Sequence, residues 1–111
     1  MAHFGFSNWQ KIAEKLEDLT FNKEGLLEVE INSKTICIAK KGELLNACAA
    51  KCPHASAPFV KGFVDALGNI VCPHHAYKFD LKNGRNCSGE GYFLKVYKVE
   101  LRENGVFVNL T

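Results

Sequence analysis

Cys52-Pro53-His54 and, after 17 intervening residues, Cys72-Pro73-His74-His75 are the stretches on which the reading of this 111-residue chain turns. Each box offers one thiol and at least one imidazole, together a Cys-x-His and Cys-x-x-His set of metal donors. Mixed sulfur and nitrogen donors narrow the metal to zinc or an iron-sulfur centre. Zinc ribbons usually pair Cys-x-x-Cys knuckles, and zinc fingers of the two-cysteine, two-histidine kind keep cysteines in one box and histidines in the other. One cysteine and one histidine per box instead lets two thiolates reach one iron and two imidazoles a second. Structural zinc is the competing reading.

The residues around the boxes extend the pattern. Pro53 and Pro73 follow the two cysteines, Pro58 and Gly62 follow the first box, and Phe79-Asp80-Leu81 with Asn83-Gly84 follow the second. With these the chain resembles bacterial Rieske ferredoxins over roughly residues 9 to 110, most specifically over 52 to 84. The resemblance implies a Rieske-type [2Fe-2S] cluster, with Cys52 and Cys72 on the inner iron and His54 and His75 on the outer. His74 competes with His75 for the last place, and the resemblance favours the fourth position of the box, His75. It further implies an all-β fold, an antiparallel β-sandwich or barrel with a small inserted cluster-binding subdomain at roughly residues 47 to 87. The function implied is one-electron transfer from a reductase to a terminal oxygenase, by a protein not itself an enzyme. The rivals are a small subunit of a larger oxidoreductase, similar to that of assimilatory nitrite reductase, and a zinc-stabilised interaction module.

Bulk properties agree. A chain of 111 residues is one domain, too small to add a substrate pocket of its own, so it is expected to work with partners. Hydrophobic residues at 47% and charged residues at 23% are ordinary for a soluble globular protein and point away from disorder. A formal charge of +2, without a run of like charges, gives no case for nucleic-acid binding. No secretory signal or long apolar stretch is visible and the cysteine count is odd, which points to the cytoplasm. Cys37 and Cys48 lie in apolar runs and read as small buried hydrophobes; Cys87 lies in a polar stretch and receives no role. Lys51, Lys61, Lys78, Lys82 and Arg85 near the boxes read as a solvated surface, or as a basic rim for an acidic partner.

Periodicity supplies the elements. Trp9, Ile12, Leu16 and Leu19 recur at helical spacing and predict one short helix or helical turn near Ile12 to Asp18, although Gln10 to Ala13 also fits a strand. Strands are expected at Leu26 to Ile31, Lys34 to Ala39 and Glu43 to Ala49, with short ones at Phe63 to Asp65 and Asn69 to Cys72. Further strands are expected at Tyr77 to Leu81, Tyr92 to Arg102 and Val106 to Leu110, the last two joined by an Asn104-Gly105 turn.

Some residues depart from the family. Respiratory-chain Rieske proteins carry disulfide cysteines and two hydroxyls near the cluster, where this chain has Ala57, His74, Tyr77 and Phe79. Fewer hydrogen bonds to the reduced cluster imply a potential in the lower half of the Rieske range. Ser56 and Ala76 stand where glycine is common, and Ser88-Gly89-Glu90-Gly91 replaces a proline-containing covering loop, which implies a looser cover.

Overall fold

The computed structural model describes residues 8–54, 56–89 and 91–111. Among them the apolar runs become nine strands: β1 Trp9–Ala13, β2 Leu26–Ile31, β3 Lys34–Lys41, β4 Leu44–Ala49, β5 Phe63–Val64, β6 Asn69–Val71, β7 Lys78–Asp80, β8 Val96–Arg102 and β9 Gly105–Asn109. They form a six-stranded sheet in the order β1-β9-β8-β4-β3-β2 and a three-stranded sheet β5-β6-β7. Every pairing is antiparallel. No α-helix occurs among the described residues, which hold only two 3-10 turns, Leu16–Asp18 and Phe59–Lys61. The expected all-β architecture is therefore found.

Local chemistry explains the hairpins. Asn32 and Ser33 join β2 to β3 with φ of 50° and 68°, the two positive values that a tight primed turn requires. In β3, Ile36 and Ile38 enter one core while Cys37 and Ala39 enter another, so the strand is apolar on both faces. The first core gathers Leu26, Cys37, Ala39 and Cys48 of the large sheet with Cys52, Phe59, Ile70, Cys72 and Phe79. It fastens the small sheet to the large one. Phe59 and Phe79 meet edge to face at 5.9 Å, an arrangement worth about 0.5–1.5 kcal/mol beyond its buried area. The second core, around Ile31, Ile36, Ile38, Ala47 and Val108, lies on the opposite face of the large sheet.

Two local expectations are corrected. Trp9–Ala13 is a strand paired with β9, so the expected short helix or helical turn is confined to a 3-10 element at Leu16–Asp18 and does not reach back to Ile12. The register skips Ile12 between Lys11 and Ala13, and such a bulge breaks strict alternation, so apolar residues three apart fit a strand. At the last hairpin, Arg102 pairs with Gly105 and the loop is Glu103-Asn104, one residue earlier than the Asn-Gly signal suggests. Gly105 serves a close approach instead: at φ +149°, an added Cβ would lie 2.7 Å from the Ala13 carbonyl oxygen.

Cys37 and Cys48 are buried as expected, directly opposite each other on β3 and β4. Their mutual hydrogen bond and their burial push the Cys48 thiol well up, so it stays a protonated, inert core group.

Candidate metal centre

Both boxes are loops of one design. In the first, the Cys52 amide donates to the Ala57 carbonyl at 2.9 Å; in the second, the Cys72 amide donates to the Tyr77 carbonyl at 2.8 Å. Each closes the loop five residues after its cysteine. Each also needs a left-handed residue four after the cysteine, Ser56 at φ 57° and Ala76 at φ 59°. Glycine adopts such a φ without strain, and the loops keep the shape without it. Left-handed backbone costs a non-glycine residue about 1–2 kcal/mol, partly offset by the conformational entropy that glycine loses. Ser56→Gly and Ala76→Gly are each expected to stabilise the protein by about 0.5–1 kcal/mol, read from denaturant unfolding of the loaded protein. A loss of stability would show that the Ser56 hydroxyl or the Ala76 methyl makes a contact outweighing the strain.

The loops bring three of the four expected donors into one group. The Sγ atoms of Cys52 and Cys72 and one ring nitrogen of His54 all lie within 4.8 Å of one another. His54 Nδ1 is 3.8 Å from Cys52 Sγ. His75 joins this group through His54, its Nδ1 standing 3.3 Å from His54 Nε2. His74 takes a different part: its backbone amide donates to Cys72 Sγ at 3.3 Å, while its exposed ring lies 6.3 Å from the His54 ring. His75, at 5.2 Å, is the nearer of the two.

Burial grades across the site. Both cysteines are 1% exposed, at the end of the first core, whereas His54 is half-buried and His75 exposed. Burial pushes the Cys72 thiol up, the His74 amide draws it back, and the adjoining Cys52 raises it again. Two thiols pressed together in an apolar place resist ionisation unless a cation compensates. The donor set therefore fits a metal centre with sulfur inside and nitrogen outside.

The sequence places Tyr77 near the cluster but not against His54, and gives Tyr92 no place at the site. The Tyr77 ring stacks on His54 with centroids 3.8 Å apart, and Tyr92 lies edge-on 5.8 Å from His54. Tyr92 follows the proline-free segment, so this chain has an aromatic ring beside the site from the loop expected to cover it. Cys87 stands apart, its Sγ 3.4 Å from Asn69 Oδ1. The flanking Lys51, Lys61, Lys78, Lys82 and Arg85 are all exposed.

Asp65 organises the β5–β6 turn, at the end of β6 away from Cys72. Its Oδ1 accepts from the Leu67 and Asn69 amides, both at 2.9 Å. Burial alone would raise its carboxyl, but bonds from Asn69 and Leu67, with Lys78 nearby, outweigh this and hold it below the usual value. A depressed folded-state pKa adds stability above the unfolded value of about 3.9, lost as pH falls through the folded value. Asp65→Asn is therefore expected to lower unfolding free energy at pH 7, and the gap to the native protein should narrow towards pH 3. An equal gap at both pH values would show that the carboxylate's charge is unimportant.

The Rieske [2Fe-2S] domain matches residues 8–92, and the chain belongs to that family. The Cys/His group is accordingly the site of a Rieske-type [2Fe-2S] cluster. The ferredoxin of carbazole 1,9a-dioxygenase from Nocardioides aromaticivorans IC177 superposes with TM-score 0.78 and 19% identity, over 93% of this chain and 98% of that one. A complex of reduced oxygenase and oxidised ferredoxin in carbazole 1,9a-dioxygenase gives TM-score 0.76 at 24% identity, over 93% and 94% of the chains. A putative small subunit of NADPH nitrite reductase gives 0.76 at 21%, over 90% and 96%. At these identities the likeness establishes the fold. Apoptosis-inducing factor 3 of Mus musculus and of Homo sapiens are each 35% identical over 57 residues, which is 51% of this chain and 9% of those proteins. No helix among the described residues is long and apolar enough to cross a membrane.

Proposed function

We propose that this chain is a soluble one-electron carrier of the cytoplasm, taking electrons from a reductase and delivering them to a terminal oxygenase, with Cys52, His54, Cys72 and His75 as ligands. The observation that carries the reading is the convergence of two buried thiols and the His54 imidazole within 4.8 Å, with His75 against the outer side of His54. When bound, the Rieske cluster supplies reversible uptake of one electron. The protein's own part is to bury the sulfur side, expose the histidine side and place it at the tip of two loops. A partner approaching His75 meets the shortest path to the centre. The His74 amide adds a donor to Cys72 Sγ, which as a thiolate ligand would carry negative charge. Solved complexes of carbazole 1,9a-dioxygenase, in which a ferredoxin of this fold meets its oxygenase, support an oxygenase as acceptor.

The test is iron and sulfide analysis beside an EPR spectrum of the anaerobically purified, dithionite-reduced protein. Two irons per chain with a rhombic histidine-ligated signal uphold the reading; a colourless chain with one zinc refutes it. The potential is a further expected outcome. Imidazole ligation places Rieske centres at about −150 to +300 mV, against about −400 mV for all-cysteine plant-type ferredoxins. Phe79, fully buried against Phe59, offers no hydroxyl, and Ala57 and His74 form no disulfide. The midpoint is expected in the lower half of that range, and a value above about +200 mV at neutral pH would exclude this class of carrier.

A further inference from the structure

The aromatic contact at His54 asks for an explanation that the ligand set does not give. Tyr77 belongs to the second loop, which its own backbone carbonyl closes by accepting from the Cys72 amide at 2.8 Å. Its half-buried ring packs against the first core and crosses to the first loop, where it lies on the His54 imidazole at 3.8 Å and 27°. Tyr92, 40% exposed, flanks both rings, 5.9 Å from Tyr77 and 5.8 Å from His54.

An imidazole donates to a metal through a lone pair in its ring plane, so the tilt of that plane decides how well it can ligate. A hydrogen bond could fix the tilt only by engaging a ring nitrogen. A stacked ring fixes it from the face and leaves both nitrogens clear, here with Nδ1 towards Cys52 Sγ and Nε2 towards His75. The same contact shields one face of the imidazole from water. We propose that Tyr77 is a positioning residue, a brace from the second loop that sets the plane of the His54 imidazole in the first. The role rests on His54 being a ligand, as argued above.

Three forms of the full chain test it: native, Tyr77→Phe and Tyr77→Leu. The readouts are the nitrogen hyperfine couplings of the reduced protein by pulsed EPR and the rate of iron release to a chelator. The phenylalanine form keeps the stack and is expected to match the native couplings and rate. The leucine form fills space without a ring; altered couplings and about tenfold faster iron release are expected, the scale usual for lost support behind a ligand. Leucine behaving as native, or phenylalanine as damaged as leucine, would overturn the brace. If the leucine form takes up no cluster, rescue by phenylalanine upholds the stack and failure of that rescue overturns it. Native protein lacking couplings to two imidazole nitrogens would overturn the ligand reading itself, and with it the purpose of the brace.

Discussion

His75→Ala is expected to abolish the histidine-ligated centre, whereas His74→Ala, one residue away, should leave its iron content and EPR signal intact. The two rings are neighbours on an exposed loop, 4.2 Å between centroids, so exposure alone does not separate them. Direction does. His75 is held at φ 71°, a conformation that costs a non-glycine residue roughly 1–3 kcal/mol and persists only where the surroundings impose it. That turn places its Nδ1 3.3 Å from His54, beside the three-donor group. His74 contributes through its backbone amide, which alanine retains. Loss of a ligand should reduce loading by at least about 100-fold, more than the 10- to 100-fold typical of an outer partner. Because metal binding is also folding free energy, the His75→Ala chain should unfold at lower denaturant concentration than the His74→Ala chain. A His74→Ala chain without a cluster, beside a loaded His75→Ala chain, would exchange the two assignments.

The sequence was most legible where chemistry is local. Two thiols and the imidazoles beside them, in boxes 17 residues apart, announce a metal centre without any knowledge of the fold. Asn32-Ser33 fixes its hairpin because residues tolerant of positive φ sit between alternating apolar runs. Legibility fell where one residue answers to a distant neighbour. Ile12 misled because a bulge against β9 gives a strand the spacing of a helix. Asn104-Gly105 misled because Gly105 is required by the approach of Ala13 from β1, some ninety residues earlier. Tyr92 carried no local sign of its place, and Tyr77, though beside the second box, gave none of its stack on His54, since these contacts join loops that only the folded chain brings together. Ser56, His75 and Ala76, all left-handed, show that the cysteine loops impose their shape even where side chains oppose it.

Gly84→Ala is expected to cost about 3–5 kcal/mol, among the largest losses available to one methyl group in this chain. Gly84 sits at φ +82°, and a Cβ there would lie 1.9 Å from the Leu94 carbonyl oxygen, a distance no rotamer relieves. The surrounding backbone has little freedom to move. The Gly84 amide donates to Asp80 at 2.7 Å, the Leu94 amide donates back to the Gly84 carbonyl at 2.9 Å, and Arg85 bridges Phe93. Leu94, 3% exposed, belongs to the first core. Gly42→Ala is the control, since φ is +60° there but nothing lies within 4 Å of the added carbon, so only the left-handed penalty of about 1 kcal/mol applies. Denaturant unfolding of the two variants separates conformational strain from collision, and equal losses would show that the 84–94 contact yields. If it does not yield, the segment that carries Tyr92 to the cluster end is tied to the turn after β7, and the alanine should loosen that end first. Hydrogen exchange of the variant would then show the amides at position 84 and of Leu94 losing protection ahead of those in β3 and β4.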